Sequence, residues 1–122
     1  MEKKINILIV DDDEATRHVV SLIVEKLGYN PVVCVTGNEA ISAIETENIS
    51  LVLLDIMMPE MDGYEVLKHL RASKSFGDKP VIMITAKAQE EDIYSGYKSG
   101  ADYYLTKPFT TKQLEESIKL YI

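Results

Sequence analysis

The sequence predicts an α/β fold in which helices cover both faces of a parallel sheet, a doubly wound three-layer sandwich. Three observations carry that expectation. Short apolar runs alternate with stretches of helical period, five times over. The apolar runs are nearly continuous, as in strands buried on both faces. The chain has 122 residues and a hydrophobic content of 46%, which suits one domain over residues 1–122 with a single core.

The first strand is predicted over 5–10, an unbroken apolar run but for Asn6. Residues 15–27 have helical period, with Ala15, Val19, Leu22, Ile23 and Leu27 on an inward face and Arg17, Ser21 and Glu25 on a polar one. Gly28 is placed to stop this helix. A second strand over 31–35 and a helix over 39–47 follow. The third strand is 51–54. Residues 56–63 contain Pro59 and Gly63 and read as a loop. The next helix covers 64–71, with Val66, Leu67 and Leu70 inward. The fourth strand is 80–85, the fourth helix 89–98, and the fifth strand 102–105. The last helix starts after Thr110, where Gln113 completes a capping box. Its apolar stripe is Leu114, Ile118, Tyr121 and Ile122. Alternating strands and helices of this kind require parallel pairing with crossovers of one hand.

Composition removes several classes of function. The net charge is −7, which opposes direct nucleic-acid binding and association with an anionic membrane surface. No apolar run is long enough to span a bilayer. The first ten residues carry two lysines and a short apolar run that meets Asp11, Asp12 and Asp13 at once, unlike a secretory signal. A cytoplasmic location is expected. The single cysteine, Cys34, rules out an intrachain disulfide and reads as a small buried hydrophobe.

In doubly wound folds, ligands bind beyond the carboxyl ends of the strands. Polar residues at those ends are therefore the candidates. Asp11, Asp12 and Asp13 follow the first strand, and Asp55 ends the third. Thr85 and Ala86 close the fourth strand, and Thr106, Lys107 and Pro108 follow the fifth. Crowded carboxylates repel one another unless a cation compensates. An all-oxygen set suits Mg²⁺. A lysine supplies a compact positive charge and a threonine hydroxyl a donor, both suited to a phosphoryl group. A carboxylate can act as the nucleophile, giving an acyl phosphate. Together these groups suit phosphoryl transfer, where positioning and charge stabilisation dominate.

Four segments, ILIVDDDE, LVLLDIMMPEMDG, VIMITAK and GADYYLTKPF, resemble the receiver domains of two-component response regulators. They stand in the family's order and at similar spacing, with Thr85 30 residues after Asp55 and Lys107 22 after Thr85. The resemblance covers essentially the whole chain. It implies a (βα)5 flavodoxin-like sandwich with sheet order 2-1-3-4-5, like the chemotaxis receiver. It implies that Asp55 is the phosphoacceptor and that Asp12 coordinates Mg²⁺ directly, with Mn²⁺ a substitute. Asp11 would act chiefly through metal-bound water, and the Met57 backbone carbonyl and Asp55 would complete the protein ligands. Thr85, the Ala86 backbone and Lys107 would bind the phosphoryl group. Thr85 and Tyr104 would form the switch, and the Lys107–Pro108 bond would be cis. The partners implied are a histidine kinase or histidine phosphotransfer protein. Downstream, a protein or an attached output domain would use the face formed by the fourth helix, fifth strand and fifth helix, and homodimers would use it too.

Simpler readings apply to some of these residues. Asp13 reads as a helix cap, and His18 and His69 read as surface residues. Tyr94, Tyr97, Tyr103, Tyr104 and Tyr121 are open to burial against the sheet or to a partner surface; Tyr103 replaces a polar residue common in the family. Gly96 weakens the fourth helix, as a shifting element would need. Met57 and Lys87 stand two residues after Asp55 and Thr85; an apolar Met57 gives water no partner, so the phosphoryl lifetime is expected to follow intrinsic hydrolysis. Two alternatives stay open here. A haloacid-dehalogenase-like phosphatase would use Asp11 and Asp13 as its D-x-D pair, although Ala15 breaks that motif. A degenerate receiver would serve only as an interaction module. The chain stops with the last helix, so it reads as a single-domain regulator or as a fragment of a longer protein.

Overall fold

The computed structural model describes residues 4–86 and 100–122. Its elements in chain order are β1 (Asn6–Val10), α1 (Glu14–Lys26), β2 (Asn30–Cys34), α2 (Gly37–Thr46), β3 (Ile49–Asp55), α3 (Gly63–Ala72), β4 (Val81–Thr85), β5 (Tyr103–Thr106) and α4 (Thr111–Lys119). The five strands pair in parallel in the order β2-β1-β3-β4-β5, as expected. The helix predicted over 89–98 lies outside the described residues, and so do Lys87, Tyr94, Gly96 and Tyr97.

The sheet divides the core in two. Leu8, Val10, Val52, Leu54 and Met83 point toward α2 and α3, where they meet Ala40, Ile44, Val66, Leu67 and Leu70. Ile7, Ile9, Leu51, Leu53, Ile82 and Ile84 point the other way, toward Val20, Ile23 and Val24 of α1 and Leu114 and Ile118 of α4. Strand β3 is buried on both faces, with Leu51, Val52, Leu53 and Leu54 at most 1% exposed. Each such side chain contributes about 1.5–3 kcal/mol by burial. The strand that ends in Asp55 is thus firmly held at the centre of the sheet, between β1 and β4.

Local chemistry sets the helix ends. Asp13, Thr36, Asp62 and Thr110 each accept a hydrogen bond from a backbone N–H of the first turn of α1, α2, α3 and α4, which satisfies donors that a helix leaves open. Thr110 and Gln113 form the expected capping box. Gly28, with φ +91°, ends α1. Its N–H donates to the Glu25 carbonyl, and the Tyr29 N–H reaches back to Val24, a turn that requires the left-handed region glycine enters without strain.

One expectation is corrected. Helix α1 buries Val20, Ile23 and Val24, whereas Ala15, Val19 and Leu22 of the predicted inward face are exposed, Val19 by 49% and Leu22 by 53%. Apolar residues at 19, 20, 22, 23, 24 and 27 allow two overlapping stripes at helical period. Contact with β1, β2 and α4 selects the second, a choice that local sequence does not encode.

Candidate functional site

Parallel pairing brings the strand ends together. Val10 registers with Leu54, Asp55 with Ile84 and Thr85 with Thr106. Asp11 and Asp12 therefore leave β1 beside the end of β3, and Lys107 leaves β5 beside the end of β4. Asp11 and Asp55 are 4% and 5% exposed and Thr85 is fully buried, while Asp12 is exposed. The ends of β1, β3, β4 and β5 thus bring Asp11, Asp12, Asp55, Thr85 and Lys107 to one rim.

Lys107 joins the two buried carboxylates. Its Nζ lies 3.0 Å from Asp11 Oδ2 and 3.8 Å from Asp55 Oδ1. The other Asp11 oxygen, Oδ1, accepts the Asp13 N–H at 2.9 Å. Ligand oxygens of Asp11, Asp12 and Asp55 all lie within 4.8 Å of one another. Three carboxylates so close, with one ammonium among them, leave a local excess of negative charge. Burial, then the charge of Asp11, pushes the Asp55 carboxyl up to about 6. Lys107 and the Met57 backbone N–H pull it down, and Asp12 adds a further upward push. The donor set is hard, all oxygen and short of positive charge, and so it fits Mg²⁺.

The loop after β3 is shaped by close approach. Gly63 opens α3, and its N–H donates to the Ile56 carbonyl at 2.8 Å. A Cβ on Gly63 would stand 2.7 Å from both the Asp55 carbonyl oxygen and Ile56 Cα. No larger residue fits there without moving the backbone that carries Asp55. Between them, Met61 N–H bonds the Pro59 carbonyl across Glu60, whose φ is +68°, a tight three-residue turn. The Met57 side chain is 56% exposed. On the opposite side of the site, Lys107–Pro108 is cis, and the Lys107 N–H donates to the Thr85 carbonyl at 2.7 Å. That bond ties the lysine's backbone to the end of β4. Ala86 is exposed next to Thr85.

Other residues singled out from the sequence fall as follows. Asp13 Oδ2 accepts from both the N–H and the hydroxyl of Thr16. These bonds hold its carboxyl below the usual carboxylate range, so Asp13 serves the helix and a D-x-D pair is not formed at the rim. His18 and His69 are exposed. Cys34 is 5% exposed, and burial pushes its thiol up to about 11. Tyr104 is buried on the α2–α3 side of the sheet. Tyr103 is half-buried on the other side, edge-on to Tyr121 at 6.5 Å, and the Tyr121 hydroxyl donates to the Asp102 carbonyl. Sequence gives no role at the site to two residues. Gly63 reads as part of a loop and as the end of the LVLLDIMMPEMDG segment, without its close approach to Asp55. Arg17 reads as part of a polar stripe, but its Nη1 donates to the Asp11 carbonyl at 2.9 Å. An apolar recess of about 480 Å³ adjoins the rim, lined by Ala15, Thr16, Val19, Ala86, Pro108 and Phe109.

Known proteins resemble this arrangement throughout the chain. The family model described as "Response regulator receiver domain" matches residues 7–119. The alkaline phosphatase synthesis transcriptional regulatory protein PhoP of Bacillus subtilis is 40% identical over 98% of this chain and 48% of its own length. The phosphate regulon transcriptional regulatory protein PhoB of Escherichia coli is 38% identical over 93% of this chain and 49% of its own. The chain thus spans about half the length of these relatives. Among solved structures, Vibrio cholerae chemotaxis protein CheY4 superposes with a TM-score of 0.93 at 27% identity, covering 98% of this chain and 100% of that one. The receiver domain of a Pseudomonas aeruginosa sensor histidine kinase, solved with a magnesium ion coordinated in its active-site cleft, gives a TM-score of 0.89 at 27% identity, covering 98% of each chain. With its sheet order, acidic rim and family match in agreement, the chain belongs to the response regulator receiver domains of two-component systems.

Proposed function

We propose that Asp55 accepts a phosphoryl group from a phosphohistidine on a histidine kinase or histidine phosphotransfer protein, in a Mg²⁺-dependent reaction. The observation that carries this reading is the meeting of buried Asp55, Asp11, exposed Asp12 and Lys107 at one rim. Asp12 and Asp55, with the Met57 carbonyl, would hold the ion directly, and Asp11 would hold it through water. Bound Mg²⁺ supplies positive charge against the phosphoryl oxygens. An Asp55 oxygen forms the new bond to phosphorus as the bond to the donor's imidazole nitrogen breaks. Lys107 and the Ala86 N–H stabilise the charge on the transferred group, and Thr85 hydrogen-bonds it. Added negative charge then biases Thr85 and Tyr104 toward a second arrangement read by a downstream partner or an attached domain. The apolar recess beside Lys107, with exposed Val19 at its edge, offers the donor protein an apolar surface next to the nucleophile.

Acetyl phosphate with Mg²⁺ tests this directly. Intact-mass measurement is expected to show the gain of one phosphoryl group in the wild type and none in Asp55→Asn or in EDTA. Incorporation by Asp55→Asn equal to wild type would overturn the assignment. Turnover of a phosphate ester without a stoichiometric acyl phosphate would restore the phosphatase alternative.

A further inference from the structure

We infer that Arg17 is a positioning residue for the metal site, acting through the Asp11–Asp12 peptide. The inference rests on the proposed reading of the acidic rim as a divalent-cation site. Arg17 is the fourth residue of α1 and grips the β1–α1 turn twice. Its backbone N–H donates to the Asp13 carbonyl at 3.0 Å, and its Nη1 donates to the Asp11 carbonyl at 2.9 Å. Asp12 lies between these two anchored carbonyls. The Asp11 carboxylate is itself tied at both oxygens, to the Asp13 N–H and to Lys107. The peptide plane between Asp11 and Asp12 therefore has one orientation held by Arg17, and that plane fixes the direction in which Asp12 leaves the chain.

The rim needs such a brace. Asp12 is exposed and stands among carboxylates that repel it, so charge alone favours turning it away from Asp55. A guanidinium on the carbonyl opposes that rotation with a rigid, charge-assisted bond. Groups that orient metal ligands typically govern 10–100-fold in metal affinity. A competing effect has the opposite sign: Arg17 is a cation near a cation site, and removing its charge would tighten metal binding by electrostatics alone.

The two effects separate in a Mn²⁺ titration followed by the EPR signal of the free ion, on wild type, Arg17→Met and Arg17→Lys. Positioning predicts that Arg17→Met weakens Mn²⁺ binding about tenfold, and that Arg17→Lys, which keeps a donor, recovers part of the loss. Thermal unfolding in EDTA accompanies each titration, so a variant that is folded at the titration temperature reports on the site and not on global stability. Equal or tighter Mn²⁺ binding by folded Arg17→Met overturns the inference and leaves the proposed function standing. A wild-type protein that binds no Mn²⁺ overturns the proposed function, and this inference with it.

Discussion

At the carboxyl-terminal rim of the sheet, three aspartates gather and one lysine pairs with two of them, Asp11 and Asp55; at the amino-terminal rim, polar groups close onto one another. There Arg71 Nε and Nη2 donate to the Gly100 carbonyl, Nη1 to the Gly77 and Lys79 carbonyls, and Nη2 also to Asp102 Oδ2 at 2.9 Å. The same Asp102 oxygen accepts the Val81 N–H, and the Arg71 guanidinium lies 5.9 Å from the Phe76 ring. Asn30 donates to Asn6, and Asn6 to the Asn48 carbonyl. At one end of the sheet, Arg71, Asp102, Asn6 and Asn30 are thus paired, and the other end carries unbalanced charge. The unbalanced end is the one that can gain from a cation and a phosphoryl group. Under the proposed function, stability and reactivity are divided between the two ends of the same strands.

Arg71 provides the largest test of that division. Replacing it by Met removes the donor shared by three carbonyls and a carboxylate. Unpaired acceptors and a lost charged pair lead to an expected loss of about 2–4 kcal/mol in urea unfolding. The acidic rim lies at the opposite end of the strands, so phosphoryl incorporation by the folded variant is expected to match wild type. A variant that unfolds no more easily, or that folds but cannot be phosphorylated, would show that the two ends are not separable.

Asp55 tests the other end with the opposite sign. Its carboxyl titrates at about 6, above the unfolded value near 4. The folded protein therefore binds this proton more tightly than the unfolded chain. Its stabilising effect is complete below about pH 4 and is lost as pH rises through 6. In EDTA at pH 7.5, Asp55→Asn is expected to be more stable than wild type by about 1–3 kcal/mol. The gap should close toward pH 4, where wild type is protonated. Mg²⁺ should narrow it at neutral pH by stabilising the wild type preferentially. A variant less stable than wild type at pH 7.5 in EDTA would mean that the carboxylate is already compensated.

Much of this contrast is legible in sequence, and the reasons differ by residue. The five strands are legible because buried parallel strands are near-continuous apolar runs, and their order follows from the family resemblance. The placement of Asp11, Asp12, Asp55, Thr85 and Lys107 at one rim is legible because a strand end is a fixed address in this topology. The inward face of α1 is not, since adjacent apolar residues allow two stripes and only packing chooses between them. Gly63 is a turn residue to the eye; the backbone of Asp55 lying against it is a tertiary fact. Arg17 and Arg71 look like helix-surface cations. Apart from the Asp102 carboxylate, 31 residues away from Arg71 in sequence, their partners are main-chain carbonyls, which every residue has, so no local side-chain pattern marks the pairing.

The smallest expected effect comes from the matched end itself. Asn6→Ala removes the acceptor of the Asn30 amide and the donor to the Asn48 carbonyl, bonds of 2.8 and 3.1 Å that are exposed to water. Water replaces both partners, so the expected loss is about 0.5–1 kcal/mol in urea unfolding, near the low end for hydrogen bonds. Mn²⁺ affinity should not change, because β1 stays in register through its backbone pairs with β2 and β3. A large loss of stability would mean that the asparagines set the strand register. A shift in Mn²⁺ affinity would mean that β1 transmits strain along its length to Asp11, and the two rims would then have to be treated as one coupled unit.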